Sequence, residues 1–299
     1  MKKDTPHILL VNPWIHDFAA YDFWAKPLGL LSIGGILARH GFNVSYLDCL
    51  DRFHPHASQS DPKARCGRGP YRKTPIAKPD GLEDIPRTYS RYGIKPEWFR
   101  EDLMALDKPD LIMVTSLMTY WYPGVQETID IIRAVYPNTP LILGGIYSTL
   151  CPEHAKSFSG ADQVFTGAVE YDLLQLAAAQ TTFAPTPAFD PDSIDSYPYP
   201  AFNLQSRIGY IPILTSRGCP FACTYCASHI LYPHRKQRRP ELVVEELLFW
   251  HQKYNVIDFA FYDDALLVCS EKHAVPLLEG IIQSDLNCRL HTPNALHVR

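Results

Sequence analysis

The runs that most restrict this chain are short and apolar at consecutive positions. HILLVN (7–12), DLIMVTS (110–116) and PLILGG (140–145) show no alternation of apolar and polar residues, and NVSYLD (43–48) and ADQVFTG (161–167) have strand composition. Helical patterns separate them: PLGLLSIGGILARHG (27–41, closed by Gly41), EWFREDLMALD (97–107), YPGVQETIDIIRAVYP (122–137) and EYDLLQLAAA (170–179). Strands apolar on both faces, divided by helices, predict a parallel sheet covered on both sides. Residues 1–180 therefore read as a Rossmann-like, doubly wound domain. Such sheets bind ligands beyond the carboxyl ends of their strands. Here those ends carry Asn12-Pro13-Trp14, Thr115-Ser116, Gly144-Gly145-Ile146-Tyr147 and Thr166-Gly167. No G-x-G-x-x-G follows the first strand, which argues against a dinucleotide.

Two stretches break the pattern. Residues 52–96 form a proline-rich insertion with nine Lys or Arg between Lys63 and Lys95 against three acidic residues. A loop of that length reads as a lid or an ordered insertion over the sheet's ligand edge. Arg65, Arg68 and Arg72 raise RNA binding as an alternative, although a net charge of −4 gives no general attraction to nucleic acid. Residues 181–209 have the Pro, Asp and Ser content of a linker. No apolar run approaches the ~20 residues that span a bilayer, and the N-terminus lacks a signal-peptide core, so the expected location is cytoplasmic.

A second α/β pattern occupies 210–299. IPILTSR (211–217) is a strand, PELVVEELLFWHQKY (240–254) a helix with Pro240 in its first turn, and VIDFAFYDD (256–264) a strand. EKHAVPLLEGIIQS (271–284) reads as a helix interrupted by Pro276, and CRLHTPNA (288–295) as a strand. Between the first strand and helix lie Cys219, Cys223 and Cys226, spaced C-x3-C-x2-C among Gly218, Pro220 and Thr224. A clustered trio in a reducing compartment reads as a metal site, and the other five cysteines as small core residues. Zinc would take His229 as a fourth ligand in a closed Cys3His site. A cubane iron–sulfur cluster on three thiolates keeps one iron open to a ligand.

TSRGCPFACTYC after an apolar strand resembles the cluster loop of the radical S-adenosylmethionine (radical SAM) superfamily. That resemblance implies a 4Fe–4S cluster on Cys219, Cys223 and Cys226, with Tyr225 packing near the adenosine. It implies that the open iron chelates S-adenosylmethionine (SAM), which one electron splits to a 5′-deoxyadenosyl radical. The electron would come from a reductant such as ferredoxin or flavodoxin. RRPELVVEELLFW looks like the family's first barrel helix, which brings Arg238 or Arg239 toward the cofactor. FYDDALL stands where many members carry a glycine-rich segment for the methionine amino group, so Asp263 or Asp264 becomes an acceptor. HTPNALHVR looks like the third barrel strand and its loop, with His291 and Asn294 as weaker candidates.

The domain in front resembles the cobalamin-binding domain of cobalamin-dependent radical SAM proteins, on NPW…AKPLGLLSIGGILARHGFNVSYLDC and PLILGGIYSTLCPEHA. That likeness assigns the cobalamin tail to the backbone at Gly144, Gly145, Ile146, Tyr147 and Gly167. The loop after the first strand, NPWIHDFAAYDFWAKPLG, lacks D-x-H-x-x-G, leaving His16 as a stray axial-ligand candidate. The expected fold is thus α/β: a Rossmann-like parallel sheet followed by a partial (βα) radical SAM barrel of three strands. A fragment, an early-ended gene, or completion by a second chain would each explain half a barrel. The implied function is a radical SAM enzyme, with cobalamin-dependent methyl transfer as one reaction, on a small-molecule or macromolecular substrate. A non-catalytic zinc module and an RNA-modifying radical enzyme are the alternatives.

Overall fold

The computed structural model describes residues 5–57, 60–167, 170–183, 185, 189–294 and 296. Its first sheet contains β1 (His7–Asn12), β2 (Asn43–Asp48), β3 (Leu111–Val114), β4 (Leu141–Leu143) and β5 (Gln163–Val164). All are parallel, in the order β5-β4-β3-β1-β2. Successive side chains of a strand point to opposite faces, so continuous apolar runs feed two cores. Ile8, Leu10, Leu111 and Met113 pack with Ile36, Leu37, Leu173 and Leu174 on one side. Leu9, Val11, Ile112 and Val114 pack with Phe99, Leu103, Val125 and Ile129 on the other. The covering helices are α1 (Leu28–Arg39), α2 (Pro96–Ala105), α3 (Tyr122–Val135) and α6 (Glu170–Thr181). Two short helices absent from the sequence reading, α4 (Ile146–Leu150) and α5 (Pro152–Phe158), follow β4.

The insertion has structure of its own. Ser90–Tyr92 pairs antiparallel with both Ile15–Asp17 and Lys73–Pro75, and Gly69–Pro70 pairs with Tyr21–Asp22. Its short pieces carry no period a sequence would reveal. Arg68 lies over the Phe23 and Trp24 rings and Arg72 over Trp98, so these cations stack on the protein's own aromatics.

The second sheet contains β6 (Ile211–Ile213), β9 (Asp258–Phe261) and β10 (Arg289–His291), parallel in the order β6-β9-β10. The pair β7 (Ser216–Arg217) and β8 (Lys236–Gln237) runs antiparallel beside it. A four-residue helix, α7 (Ser228–Leu231), lies between β7 and β8. Helices α8 (Pro240–Tyr254) and α9 (Ala274–Gln283) bury Val243, Leu247, Trp250, Leu277 and Ile281 against β6 and β9. Pro276 does not interrupt α9. It occupies the third position, where the backbone needs no intrahelical donor.

The expected linker is packed between the two halves. Phe202 is fully buried in the second core, which also takes Leu31 from α1. A Cβ on Gly35 would stand 2.2 Å from the Tyr199 carbonyl oxygen, so α1 and this segment meet only because Gly35 has no side chain. Among the described residues no helix is long and apolar enough to cross a membrane.

Candidate active site

β6 carries the chain to Thr215 and Ser216, and pairing of β7 with β8 clasps the base of the cysteine loop. Within that loop the Cys226 amide donates to the Cys223 carbonyl at 3.0 Å, a tight turn that brings these two residues together. The Ser228 amide and hydroxyl lie 3.5 and 3.2 Å from Cys226 Sγ. Such partners fix the direction of the sulfur, as outer hydrogen bonds do for metal ligands. Cys219 and Cys226 are half-buried and Cys223 is exposed. Tyr225 is 91% exposed. His229 is exposed on α7.

Among the described residues, the three thiols and His229 do not form a group with ligand atoms within 4.8 Å of one another. A single tetrahedral ion with bonds of about 2.3 Å requires that closeness. The reading of the other five cysteines as core residues holds for Cys49. Cys66, Cys151 and Cys288 are half-buried and Cys269 is exposed.

Beside the loop a cleft of about 650 Å³ opens between the carboxyl ends of the two sheets. The first sheet lines it with Thr115, Ser116, Gly144, Gly145, Ile146 and Gly167. The second contributes Ser216, Gly218, Tyr232, Arg238, Asp264 and Asn294. A Cβ built on Gly144 or Gly167 would meet nothing within 4 Å, so both present bare backbone to open space. Gly145 is held at φ +103° with its Cα against the Ser116 carbonyl, a conformation other residues avoid. Tyr147 departs from this group. It is buried in the first core, its hydroxyl bonds His154 Nδ1 at 2.7 Å, and burial pushes its pKa up to about 12.

The paired aspartates separate. Asp263 is 3% exposed; its carboxylate accepts from the Thr215 amide and hydroxyl (3.1 and 2.7 Å) and from the Ser216 hydroxyl (2.5 Å). Burial raises its pKa despite these donors. Asp263 bonds Thr215 and Ser216 at the root of the cysteine loop, and Asp264 is the one that lines the cleft. The arginines separate too. Arg238 lines the cleft, donating to Glu246 Oε2 at 2.6 Å and to the Leu214 carbonyl at 3.2 Å, while its buried Nε has no partner among the described residues. Arg239 points outward to Asp195. Asn294 donates to the Tyr262 and Asp263 carbonyls, and His291 is turned to Asp258 at 2.8 Å, outside the cleft.

His16 is not available as an axial ligand. It is buried, 2.8 Å from Glu127, which Arg91 also meets at 2.6 Å. Burial pushes the Glu127 carboxyl up, but the hydrogen bond from His16 and the Arg91 charge outweigh it and leave it below its ordinary value. A folded value below the unfolded one gives stability that is complete above the ordinary glutamate range and is lost as pH falls through the folded value. Melting curves against pH should therefore show wild type and Glu127→Gln converging toward acid. A gap that stays constant with pH would exclude this account.

Glu246 was missed in the sequence. Its signal was a charge on the apolar stripe of α8, beside Val243, Leu247 and Trp250. Ser116, at the strand end that the sequence marks, lines the cleft as well, and so does Lys26, which no local pattern marks.

No family model matches the chain. It is 24% identical over 208 residues to an uncharacterized methyltransferase of Pyrococcus horikoshii, covering 60% of this chain and 44% of that protein. It is 25% identical over 222 residues to an anaerobic magnesium-protoporphyrin IX monomethyl ester cyclase of Rubrivivax gelatinosus, covering 62% and 39%. With the cytidylyl-2-hydroxyethylphosphonate methyltransferase of Streptomyces wedmorensis it shares 22%, covering 86% of this chain and 54% of that one. The chain thus spans about half the length of these relatives, or less. In structure it matches the radical SAM methyltransferase TsrM of Kitasatospora setae, solved with cobalamin and a [4Fe–4S] cluster, at a TM-score of 0.64 and 20% identity. That match covers 96% of this chain and 54% of TsrM. In fold the chain is similar to TsrM, and in sequence it is similar to these methyltransferases and this cyclase.

Proposed function

We propose that this chain is the cofactor-binding portion of a radical SAM enzyme. Cys219, Cys223 and Cys226 would hold a 4Fe–4S cluster, with SAM beside it and cobalamin in the inter-sheet cleft. The observation that carries the reading is the meeting of two ligand edges. The base of the cysteine loop (Ser216, Gly218) and the glycine ends of the first sheet (Gly144, Gly145, Gly167) line one cavity.

The donor set fits the groups. On the cleft wall, the Arg238 cation suits the carboxylate of SAM and Asp264 suits its ammonium. Bare backbone at Gly144 and Gly167 allows the close approach that a corrinoid tail requires. No histidine lines the cleft among the described residues, so the reading includes no protein imidazole on cobalt. When bound, the cluster supplies the electron that splits SAM to methionine and a 5′-deoxyadenosyl radical, and cobalamin supplies a methyl carrier. Methyl transfer to an unactivated carbon is the reaction we favour, on a substrate selected by elements outside this chain. Eight free cysteines suit a reducing cytoplasm, where ferredoxin or flavodoxin is the reductant.

Anaerobic reconstitution followed by iron, sulfide and corrinoid analysis tests the reading. A colourless protein with one zinc and no sulfide would overturn it. In the same assay, Gly144→Val should leave stability within about 0.5 kcal/mol, since its Cβ enters open space. It should weaken corrinoid binding more than tenfold by filling the cleft; unchanged binding would remove cobalamin from this site.

A further inference from the structure

Cys66, Asp258 and His291 come from three separate segments, the insertion, the start of β9 and the end of β10. Their Sγ, carboxylate oxygen and ring nitrogen lie within 4.8 Å of one another, and among the described residues no other trio does so. None of them lines the cleft. They sit where the insertion covers the sheet face opposite α8 and α9, beside the cluster of Trp24, Tyr210 and Ala260.

Several contacts hold this group in place. Arg65 and Cys66 both adopt left-handed backbone, φ +52° and +59°, which non-glycine residues rarely sustain without support. Trp24 supplies some of that support, its Nε1 donating to the Cys66 carbonyl at 2.9 Å. The same Trp24 ring stacks on His291 at 4.3 Å and 19°, fixing the plane of the imidazole. Asp258 is fully buried, with Arg289 gripping it through Nε at 2.8 Å and a terminal nitrogen at 2.5 Å. His291 Nε2 lies 2.8 Å from its Oδ1.

An ion pair needs Arg289 and His291 but not a thiol carried in on two left-handed residues. A thiolate, an imidazole and a carboxylate are the donors that a borderline-soft divalent ion prefers. Thiolate and carboxylate together neutralise its charge, and Arg289 becomes the outer hydrogen-bond partner of a ligating carboxylate.

We propose that Cys66, Asp258 and His291 form a binding site for a zinc-class divalent cation that fastens the 52–96 insertion to the three-stranded sheet. Water completes the fourth position. Binding releases the Cys66 thiol proton to solvent, and for Nε2 to ligate the metal the N–H that it directs at Asp258 passes to Nδ1. The site stands apart from the cysteine loop and does not depend on what that loop binds.

The test uses the full chain with Cys219, Cys223 and Cys226 all changed to Ser, titrated anaerobically with Co²⁺. One equivalent should bind with a thiolate-to-cobalt charge-transfer band, and affinity should rise with pH because the thiol must deprotonate. Adding Cys66→Ser should abolish the band, and His291→Ala should weaken binding at least tenfold. Zn²⁺ should displace the cobalt and raise the melting temperature. No band at one equivalent, or a band that survives Cys66→Ser, would overturn the proposal. If His291→Ala does not fold, Cys66→Ser decides alone, since it changes one atom in a half-buried loop.

Discussion

Cys226→Ala is expected to abolish cluster assembly: after anaerobic reconstitution the variant should hold little iron and sulfide and show no visible charge-transfer absorption. Cys226 has more built around it than its two partners. It closes the turn on Cys223, and Ser228 directs an amide and a hydroxyl at its sulfur. Losing an outer partner such as the Ser228 hydroxyl typically costs 10–100-fold in metal affinity. Losing the thiolate itself leaves two protein ligands on a cubane and should exceed that range. Reductive cleavage of SAM should fall with it by more than about 100-fold, while thermal stability barely changes, because the loop contributes no core residue. His229→Ala is the control. It leaves iron and sulfide intact if the trio holds a cluster, and it loses metal if the site is Cys3His zinc. Iron and sulfide content near wild type in Cys226→Ala would sink the assignment of this cysteine as a ligand.

Asp263→Ala should destabilise the protein by about 2–5 kcal/mol, because it strands buried hydrogen-bond donors. Its carboxylate joins the end of β9 to the root of the cysteine loop by accepting from the Thr215 amide, the Thr215 hydroxyl and the Ser216 hydroxyl. Because the Thr215 hydroxyl donates to Asp263, it accepts from His273 Nε2 at 2.8 Å, so the network extends to the start of α9. Burial lowers the His273 pKa, which keeps that ring neutral and suited to donating one proton. Alanine would strand three buried donors, each costing about 1–3 kcal/mol without full additivity. Urea melts of Asp263→Ala and Asp263→Asn measure this, with the amide losing less because it can still accept. A loss below about 1 kcal/mol for alanine would show that water replaces the carboxylate.

Features set by local residue patterns were legible in the sequence. Continuous apolar runs made the first sheet parallel and two-faced, and both cores formed as the period requires. Short elements were not legible. Helices α4 and α5 lie in IYSTLCPEHAKSF, where neither is long enough to establish a 3.6-residue period. The strands of the insertion are two or three residues each, too short for alternation to register.

What the sequence alone determined is the class of the fold and the placing of three cysteines on one loop. Hydrophobic period dictates which faces must be covered, and three cysteines within eight residues share one loop in any fold. Tertiary structure decided which side chains meet. That Asp264 and not Asp263 faces the cleft depends on how β9 lies against β6. That His16 serves Glu127 depends on a contact 111 positions away. The convergence of Cys66, Asp258 and His291 arises only when the insertion settles on the second sheet. Such contacts leave no local trace, because loop closure over long separations is offset by the packing of whole elements and not by the residues that end up touching.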